Sequence, residues 1–197
     1  MTLYAPRSFA VSDRAQAFAL MDAYPFATLI TTVEGAEPLV THLPLLRDGD
    51  VALVGHMARV NPQWQHFARG HTLAVFHGPH AYVSPRWYEH PQTTVPTWNY
   101  ATVHVQGEPS VSDGVAAQAA LLELTRRFDP AFAADAAVVN RLLPGIVAFR
   151  MPINRLDATF KMNQNKTATD RAGVIEGLRA TGAAGDAAVA TWMQAYD

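Results

Sequence analysis

Short apolar runs separated by turn-forming residues characterise the first part of the chain. Three of these runs are rich in the β-branched and aromatic residues that strands favour. They span Phe26 to Val33, Leu39 to Leu46 and Val51 to His56. Glu34-Gly35-Ala36 and Asp48-Gly49-Asp50 lie between them and have the composition of hairpin turns. The pattern predicts three strands of an antiparallel meander.

The strand pattern resumes after a predicted short helix. Asn61-Pro62 is typical of a helix cap followed by proline in the first turn, so a helix is expected through Trp64 and Phe67. Further strand-like stretches follow at Thr72 to His77, Ala81 to Val83, Tyr100 to Gly107, Gly145 to Arg150 and Ile153 to Met162. Several antiparallel strands joined by short turns favour a barrel over a parallel α/β sheet.

Helical periodicity appears before, within and after the strands. Ser12 can cap a first helix through Ala15 to Met21. An insertion of about residues 112–144 and a C-terminal segment of about 167–197 are predicted to be helical. Their helices are expected at Val115 to Phe128, Asp135 to Leu143, Asp170 to Leu178 and Ala187 to Tyr196. The predicted fold is mainly β with flanking helices (α+β), in a single domain spanning residues 1–197.

Composition limits the chemistry that the chain can perform. Of its 197 residues 49% are hydrophobic, enough for a core without disulfides or a structural metal. There is no cysteine, which excludes disulfides, thiolate nucleophiles and zinc–thiolate sites. A formal charge of −2 and the lack of a basic run give no broad attraction to nucleic-acid phosphates.

The location of the protein is predicted from the same features. The first residues, MTLYAPRSFAVSD, lack the basic start and long apolar run of a secretory signal. Eighteen apolar residues never follow one another. Absence of cysteine fits a reducing compartment. We therefore expect a soluble cytoplasmic protein with no membrane partner.

Aromatic and polar side chains are concentrated between Gly55 and Gly107. The segments GHMARVNPQW, FHGPHAYVSPRWY and VPTWNYATVHVQG combine histidine, tryptophan, tyrosine, asparagine and proline. Flat rings and fixed hydrogen-bonding edges suit recognition of a planar polar ligand. The alternative is a set of rigid aromatic loops with no ligand.

Seven distinctive blocks follow one another along almost the whole chain: YPFATL from Tyr24, THLP from Thr41, GHMARVNPQW from Gly55, GPHAYVSP from Gly78, VPTWNY from Val95, KMNQNK from Lys161 and DRAGV from Asp170. In their residues and in their order these blocks resemble the PaiB family, also called FMN-binding negative transcriptional regulators. The resemblance implies a split β-barrel like that of pyridoxamine-phosphate oxidase. It also implies a homodimer that binds FMN at the subunit interface.

FMN requires a site for its phosphate, a slot for its ring and hydrogen-bond donors at the ring edge. Arg59 precedes the helix capped by Asn61, so it is predicted to meet the phosphate together with the first-turn amides. Lys161 and Lys166 are further cations. His42, on a predicted strand, is expected to face a cleft and donate to the ring.

The beginning of a later strand offers further contacts. Trp98, Asn99 and Tyr100 are predicted to cover the flavin from the partner subunit. The cofactor-binding set is completed by residues within the blocks that resemble the family: Thr41, His56, Gln164 and Asn165. No catalytic residue is assigned.

Each of these residues also has a purely structural interpretation. Arg59 could be a solvated surface charge, and His42 could be a core histidine bonded to a carbonyl. The segment from Gln164 to Lys166 could be an ordinary polar turn. No metal is predicted, because His56, His77, His80 and His104 lack the spacing of an H-E-x-x-H motif. Trp64, Trp87 and Tyr88 are expected to be packing or interface residues.

Three functions remain open at this stage. A homodimeric FMN-binding regulator is favoured. Operator DNA is only weakly supported as its partner, because no helix-turn-helix is recognisable and the terminal segment with Arg171 and Arg179 also carries acidic residues. An FMN-dependent oxidoreductase or a haem-binding or haem-degrading protein is the enzymatic alternative. A barrel without flavin, serving as an interaction module, is the third. Because prolines rigidify Gly78 to Pro96, this segment is interpreted as a cover that would slow hydride transfer, which favours the regulator.

Overall fold

The computed structural model describes residues 4–112 and 114–195. Within them ten strands form two sheets, accompanied by five α-helices. The strands are β1 (Ala10–Val11), β2 (Phe26–Thr32), β3 (Leu39–Pro44), β4 (Leu46–Asp48), β5 (Ala52–Ala58), β6 (His71–Val83), β7 (Thr97–Gly107), β8 (Ser110–Val111), β9 (Ile146–Pro152) and β10 (Arg155–Lys161). The helices are α1 (Arg14–Ala23), α2 (Gly114–Phe128), α3 (Ala136–Leu142), α4 (Ala168–Ala180) and α5 (Ala184–Ala195). The prediction of a mainly β fold with flanking helices is confirmed.

The described residues divide into two compact units. The first contains residues 4–20, 77–103 and 157–195, and the second contains residues 21–76 and 104–156. Helix α1 and strands β6, β7 and β10 each contribute residues to both units. None of the described helices has the length and hydropathy needed to span a membrane.

The first unit combines strands in the order β1-β10-β7-β6 with helices α4 and α5. Strand β1 pairs antiparallel with β10, so that Ala10 lies opposite Thr159. Phe160 is fully buried and meets Trp192 of α5 edge-to-face, with ring centroids 5.2 Å apart. The apolar face of the two C-terminal helices therefore supplies much of this unit's core.

The second unit contains strands in the order β6-β2-β3 and a separate sheet in the order β4-β5-β9-β8. Strand β2 pairs antiparallel with β3 and with the first half of β6. Strand β5 pairs along its whole length with β9, from Ala52–Pro152 to Ala58–Ile146. Phe67 and Phe149 pack edge-to-face in the core at a centroid separation of 5.1 Å.

The predicted three-strand meander is wrong after its second strand. The chain leaves β3 at Pro44, and Leu46 starts β4, which pairs with β5 in the other sheet. Pro44 has no N–H to continue the ladder. The next residue, Leu45, is buried, and its N–H donates to the carbonyl of Pro25 at 2.9 Å. These two residues turn the chain from one sheet into the other.

Strand β6 is longer than expected. The sequence suggested separate strands at Thr72 to His77 and Ala81 to Val83, whereas residues 71–83 form one strand. Pairing with β2 ends at Phe76, so Pro79 interrupts no hydrogen bond to that neighbour. The supposed cover from Gly78 to Pro96 therefore begins only after Val83, where two 3₁₀ turns lead to β7.

The predicted cap at Asn61 is confirmed, whereas the predicted cap at Ser12 is wrong: α1 begins at Arg14, and it is Asp13 Oδ1 that accepts from the Ala15 N–H at 2.9 Å. The Asn61 side chain accepts from the Gln63 N–H, and a 3₁₀ helix follows over Pro62–His66. Asp135 caps α3 through the N–H groups of Ala137 and Val138. Helix α5 starts at Ala184, three residues earlier than expected, and the predicted end at Tyr196 lies outside the described residues.

Helix α4 receives the indole ring of Trp87 over two glycines. A Cβ added at Gly177 would overlap the ring, and one at Gly173 would overlap the Trp87 carbonyl oxygen. The glycines therefore act by close approach, since neither has a positive φ. Two interior glycines are tolerated in α4 because the packing of the indole ring against them compensates for their low helix propensity.

We predict that Gly177→Ala destabilises the protein by about 1–3 kcal/mol, through overpacking against Trp87. The sign of the change in unfolding free energy tests the packing, because Gly→Ala inside a helix normally stabilises a protein by about 0.5–1 kcal/mol. Gly145→Ala is the matched control, since a Cβ there meets no atom within 4 Å. Thermal unfolding monitored by circular dichroism measures both variants. A stabilised Gly177→Ala protein would contradict the packing described.

Candidate functional site

The second unit places Thr41 and Asn61 side by side around a buried glutamine. Asn61 Nδ2 donates to Thr41 Oγ1 at 2.8 Å, and Thr41 Oγ1 donates in a short bond to Gln63 Oε1. Gln63 is 1% exposed, and its Nε2 donates to the Leu29 carbonyl at 3.1 Å. Two of the predicted cofactor residues are thus brought together, with a third residue that sequence reasoning did not select.

Arg59 lies just after β5, where the sequence predicted it, and is exposed. Its Nε donates to the Pro144 carbonyl at 2.6 Å and its Nη2 to the Ile146 carbonyl at 2.7 Å. The Arg59 carbonyl accepts from Trp64 Nε1 at 3.1 Å. Arg59 therefore fastens its own loop to the turn before β9, and it still has N–H groups beyond those two bonds.

The two predicted histidines of this unit lie in different surroundings. His42 is exposed on β3, and its Nδ1 shares a 3.1 Å hydrogen bond with Thr28 Oγ1. His56 is half-buried on β5, opposite Ala148. Burial lowers the pKa of His56, so its ring is neutral at pH 7 and offers one donor and one acceptor.

The first unit holds both lysines of the chain, only five residues apart. Lys161, at the end of β10, donates to the Trp98 carbonyl at 2.8 Å and to Thr97 Oγ1 in a short bond. Burial lowers the pKa of Lys161, and the nearby charge of Lys166 lowers it further. The Lys166 ammonium lies 5.0 Å from the centre of the Tyr88 ring. Neither lysine has a carboxylate partner among the described residues.

Side-chain amides shape the turn between the two lysines. Gln164 accepts from the Met162 N–H at 2.7 Å and donates to the Phe160 carbonyl at 2.6 Å, so its amide groups serve the turn itself. Asn163 has a φ of 60°, a left-handed conformation that asparagine tolerates better than most residues. Its Nδ2 donates to Tyr88 Oη at 3.1 Å. Asn165 is exposed.

Trp98, Asn99 and Tyr100 point to different environments at the start of β7. Trp98 is 53% exposed and packs against His80 and Tyr82, with ring centroids 6.1 and 6.3 Å away. Asn99 is fully buried, and its Nδ2 contacts Met193 Sδ at 3.3 Å. Tyr100 is half-buried. Trp98 is therefore accessible to a ligand, whereas α5 covers Asn99.

Sequence reasoning missed Gln63, Tyr88 and Asn163 as residues that position their neighbours. The sequence predicts a packing or interface residue at Tyr88, whereas in the structure Tyr88 is the partner of both Asn163 and Lys166. Burial raises the pKa of Tyr88, so its hydroxyl stays protonated. The sequence offers one indication of the role of Gln63: it is a polar residue that directly follows the helix-capping Asn61-Pro62 pair.

The arrangement can bind an anion or a polar ring edge in each unit. Within the part of the chain that the structure describes, Arg59 and Asn61 of the second unit have N–H groups left over, and the two close lysines of the first unit form no ion pair with an acidic residue. Such donors favour phosphate and carbonyl oxygens. No group of three or more histidine, aspartate or glutamate side chains suited to a metal occurs in the part of the chain described.

Known proteins resemble the chain along most of its length. It is 35% identical over 188 residues to the Bacillus subtilis "Protease synthase and sporulation protein PAI 2", a match that covers 90% of this chain and 89% of the relative. It is 30% identical over 186 residues to an uncharacterised protein of Emericella nidulans, covering 74% of each. The resemblance to the PaiB family is confirmed.

Two solved structures share the fold at low sequence identity. The FAD and heme binding protein from Mycobacterium smegmatis superposes with a TM-score of 0.66 at 19% identity, covering 83% of this chain and 78% of that one. The flavocytochrome Anf3 from Azotobacter vinelandii gives a TM-score of 0.64 at 16% identity, covering 83% and 75%. These likenesses confirm the predicted split-barrel fold.

The family model described as "Putative FMN-binding domain" matches residues 3–155. This match contains β2 to β9 and the loop of Arg59 and Asn61, and it ends within β10. FMN, the cofactor predicted from the sequence, is the ligand by which this family is described. The chain belongs to the family of FMN-binding domains that this model defines.

Proposed function

We propose that the protein is a homodimeric FMN-binding regulator of the PaiB type that represses transcription. The observation that carries the FMN part of this proposal is the loop from Arg59 to Asn61, which presents hydrogen-bond donors directly after β5. The regulatory part is supported by the 35% identity to the Bacillus protein whose name refers to protease synthesis and sporulation.

The Arg59 loop is suited to the FMN phosphate because its side chains leave N–H groups available. Arg59 uses two of its five N–H groups on the carbonyls of Pro144 and Ile146. Asn61 uses one N–H of its amide on Thr41. The backbone carbonyl of Arg59 is occupied by Trp64. The remaining donors favour a phosphate over a cation.

The first unit provides a separate group of proposed FMN contacts. Hydrogen bonds hold Lys161 and the Tyr88 ring contacts Lys166, and no carboxylate of residues 4–112 or 114–195 forms an ion pair with either lysine. Two such cations favour negative charge on a bound group. Trp98 offers an exposed flat surface for a ring. The remaining proposed contacts are His42, His56, Asn99, Tyr100, Gln164 and Asn165; Asn99 would have to be uncovered from α5 first.

When bound, FMN supplies a redox-active ring; the residues near it decide whether that ring is used. Ser84 to Pro96 contains two 3₁₀ turns and three further prolines after β6, so it is a constrained segment of the first unit. We propose that it restricts access of a nicotinamide to the ring. This supports a sensing or structural use of the flavin over rapid turnover.

DNA contact would have to come from residues other than Arg171. Its guanidinium is buried and donates to the carbonyls of Met162 and Met193, both at 2.7 Å. Arg179 is exposed, but its Nη2 donates to Gln194. If α4 contacts an operator, Arg179 is thus a better candidate than Arg171.

We predict that Arg59→Ala weakens FMN binding roughly ten- to a hundredfold, as expected for loss of a charge-assisted hydrogen bond worth about 1.5–3 kcal/mol. Riboflavin has no phosphate, so its affinity should change much less. Quenching of flavin fluorescence on titration measures both. Arg86→Ala, which removes an exposed arginine of the first unit, is the matched control. Equal losses for FMN and riboflavin would show that Arg59 acts through the fold.

We predict that the protein is a dimer held partly by the exposed aromatic group of Trp98, Tyr82 and His80. Light scattering should give twice the chain mass of 21.5 kDa. Trp98→Ser should weaken the dimer at least tenfold, because large aromatics contribute most to interfaces. Val51→Ser, at another exposed apolar residue, should have no effect. A monomeric wild-type protein with FMN bound would refute the dimer.

The regulator and the oxidoreductase are separated by two measurements on the FMN-loaded protein. If the protein is the proposed regulator, it should bind operator DNA with an affinity that falls as salt rises, since phosphate contacts release counterions. On stopped-flow mixing with NADH or NADPH, the flavin absorbance should bleach far more slowly than ordinary turnover, about 1 to 1000 per second. Reduction within that range, without DNA binding, would favour the oxidoreductase.

A further inference from the structure

The buried Gln63 amide can adopt only one orientation. Its Nε2 lies 3.1 Å from the Leu29 carbonyl and 3.0 Å from Thr31 Oγ1. A backbone carbonyl accepts and never donates, so the amide nitrogen must face Leu29. Turning the amide over would place two oxygens against each other in a site that water does not reach. Gln63 Oε1 must therefore face Thr41.

This orientation fixes the direction of the Thr41 hydroxyl. Because Gln63 Oε1 is an acceptor, Thr41 Oγ1 has to donate its single proton to it. The Thr41 oxygen can then only accept from its other neighbour, which is Asn61 Nδ2 at 2.8 Å. Thr41 consequently has no proton left to donate to a ligand.

The Asn61 amide is fixed from both ends. Its Oδ1 accepts from the Gln63 backbone N–H at 3.0 Å, and a backbone N–H can only donate. Its Nδ2 faces Thr41, which can only accept. The second N–H of the Asn61 amide has no partner among the described residues, and it lies in the loop that also carries Arg59.

We propose that Gln63 is a positioning residue whose hydrogen-bond relay through Thr41 turns an N–H of Asn61, and not its oxygen, toward the ligand. The relay consists of the Leu29 carbonyl, Gln63, Thr41 and Asn61. It rests on the proposed function in taking that ligand to be the FMN phosphate. What the proposal adds is the orientation of the Asn61 amide. With the relay intact, the Asn61 side chain presents an N–H donor, and not its oxygen, to a bound oxyanion.

The relay can be distinguished from ordinary buried hydrogen bonding. Thr72 belongs to the same buried polar cluster, because its hydroxyl lies 3.1 Å from Thr31 Oγ1. That bond is to Thr31 and not to Gln63 or Thr41, and the Leu29 carbonyl fixes the Gln63 amide without it. Thr72→Val therefore removes a buried hydrogen bond of the same cluster while the relay remains. It serves as the control for stability effects.

The test compares FMN and riboflavin affinity in four variants: Gln63→Met, Thr41→Val, their combination and Thr72→Val. We expect Gln63→Met and Thr41→Val each to weaken FMN about tenfold and riboflavin little, as for loss of one hydrogen bond to a charged group. The double variant should be no worse than either single variant, because both break the same relay. Thr72→Val should bind FMN as the wild type does, whatever its melting temperature.

Two results in this comparison would overturn the proposal. If Thr72→Val weakens FMN as much as Gln63→Met does, then Gln63 acts only through stability. If the losses of the two single variants add in the double variant, then Gln63 and Thr41 act independently and no relay connects them.

A second measurement tests whether the hydrogen-bond relay exists, even if FMN does not bind at this loop. The Asn61 amide proton that is donated to Thr41, observed by NMR in the ligand-free protein, should exchange slowly with water in the wild type and in Thr72→Val. This proton should exchange at least tenfold faster in Gln63→Met and Thr41→Val, whereas the second amide proton, which has no partner among the described residues, serves as the internal reference. Slow exchange with unchanged FMN affinity would support the relay and reject the phosphate site. Fast exchange in the wild type would reject the relay itself.

Discussion

Burying a polar side chain costs free energy unless its groups are hydrogen-bonded, and in the second unit the Gln63 amide is buried with partners for both its oxygen and its nitrogen. Left unpaired, its amide would cost a few kcal/mol. The cost is avoided because the Leu29 carbonyl, Thr31 and Thr41 meet the amide, while the Gln63 N–H holds Asn61. The loop after β5 is fixed by these bonds, and the orientation of its exposed donors depends on them.

The first unit meets the same requirement with a buried charge. The Arg171 guanidinium reaches from α4 to the carbonyl of Met162 on one side and that of Met193 on the other. It therefore ties the lysine-containing turn to α5 through two backbone carbonyls. Breaking such a contact leaves an uncompensated buried charge, which is strongly destabilising. The C-terminal helices are thus part of what holds Lys161 and Lys166 in place.

Local patterns predicted most of the fold, because strands, turns and caps are encoded over a few residues. The 3₁₀ start at Asn61-Pro62 and the cap at Asp135 depend on side chains adjacent to the elements that they begin. The change of sheet at Pro44 and the continuity of β6 through Pro79 could not be predicted in this way, since both depend on which neighbour a strand has. The candidate site was predicted by residue type near Arg59 and Lys161, whereas Gln63 was missed because its partners are distant in sequence.

Arg59 holds the turn before β9 and is also proposed to bind an anion, and a guanidinium group has enough N–H donors for both. Its Nε and one Nη2 proton hold the turn at Pro144 and Ile146, which fixes the guanidinium plane. A planar group held along one edge still has donors along the other, so an anion can bind without release of the turn. Lysine would not reproduce this arrangement, because its three donors radiate from one nitrogen and do not form a planar fork with two separate edges. The bonds of Arg59 to the turn therefore assist the proposed anion site. They order the Arg59 side chain before any ligand arrives, so binding an anion loses less side-chain entropy.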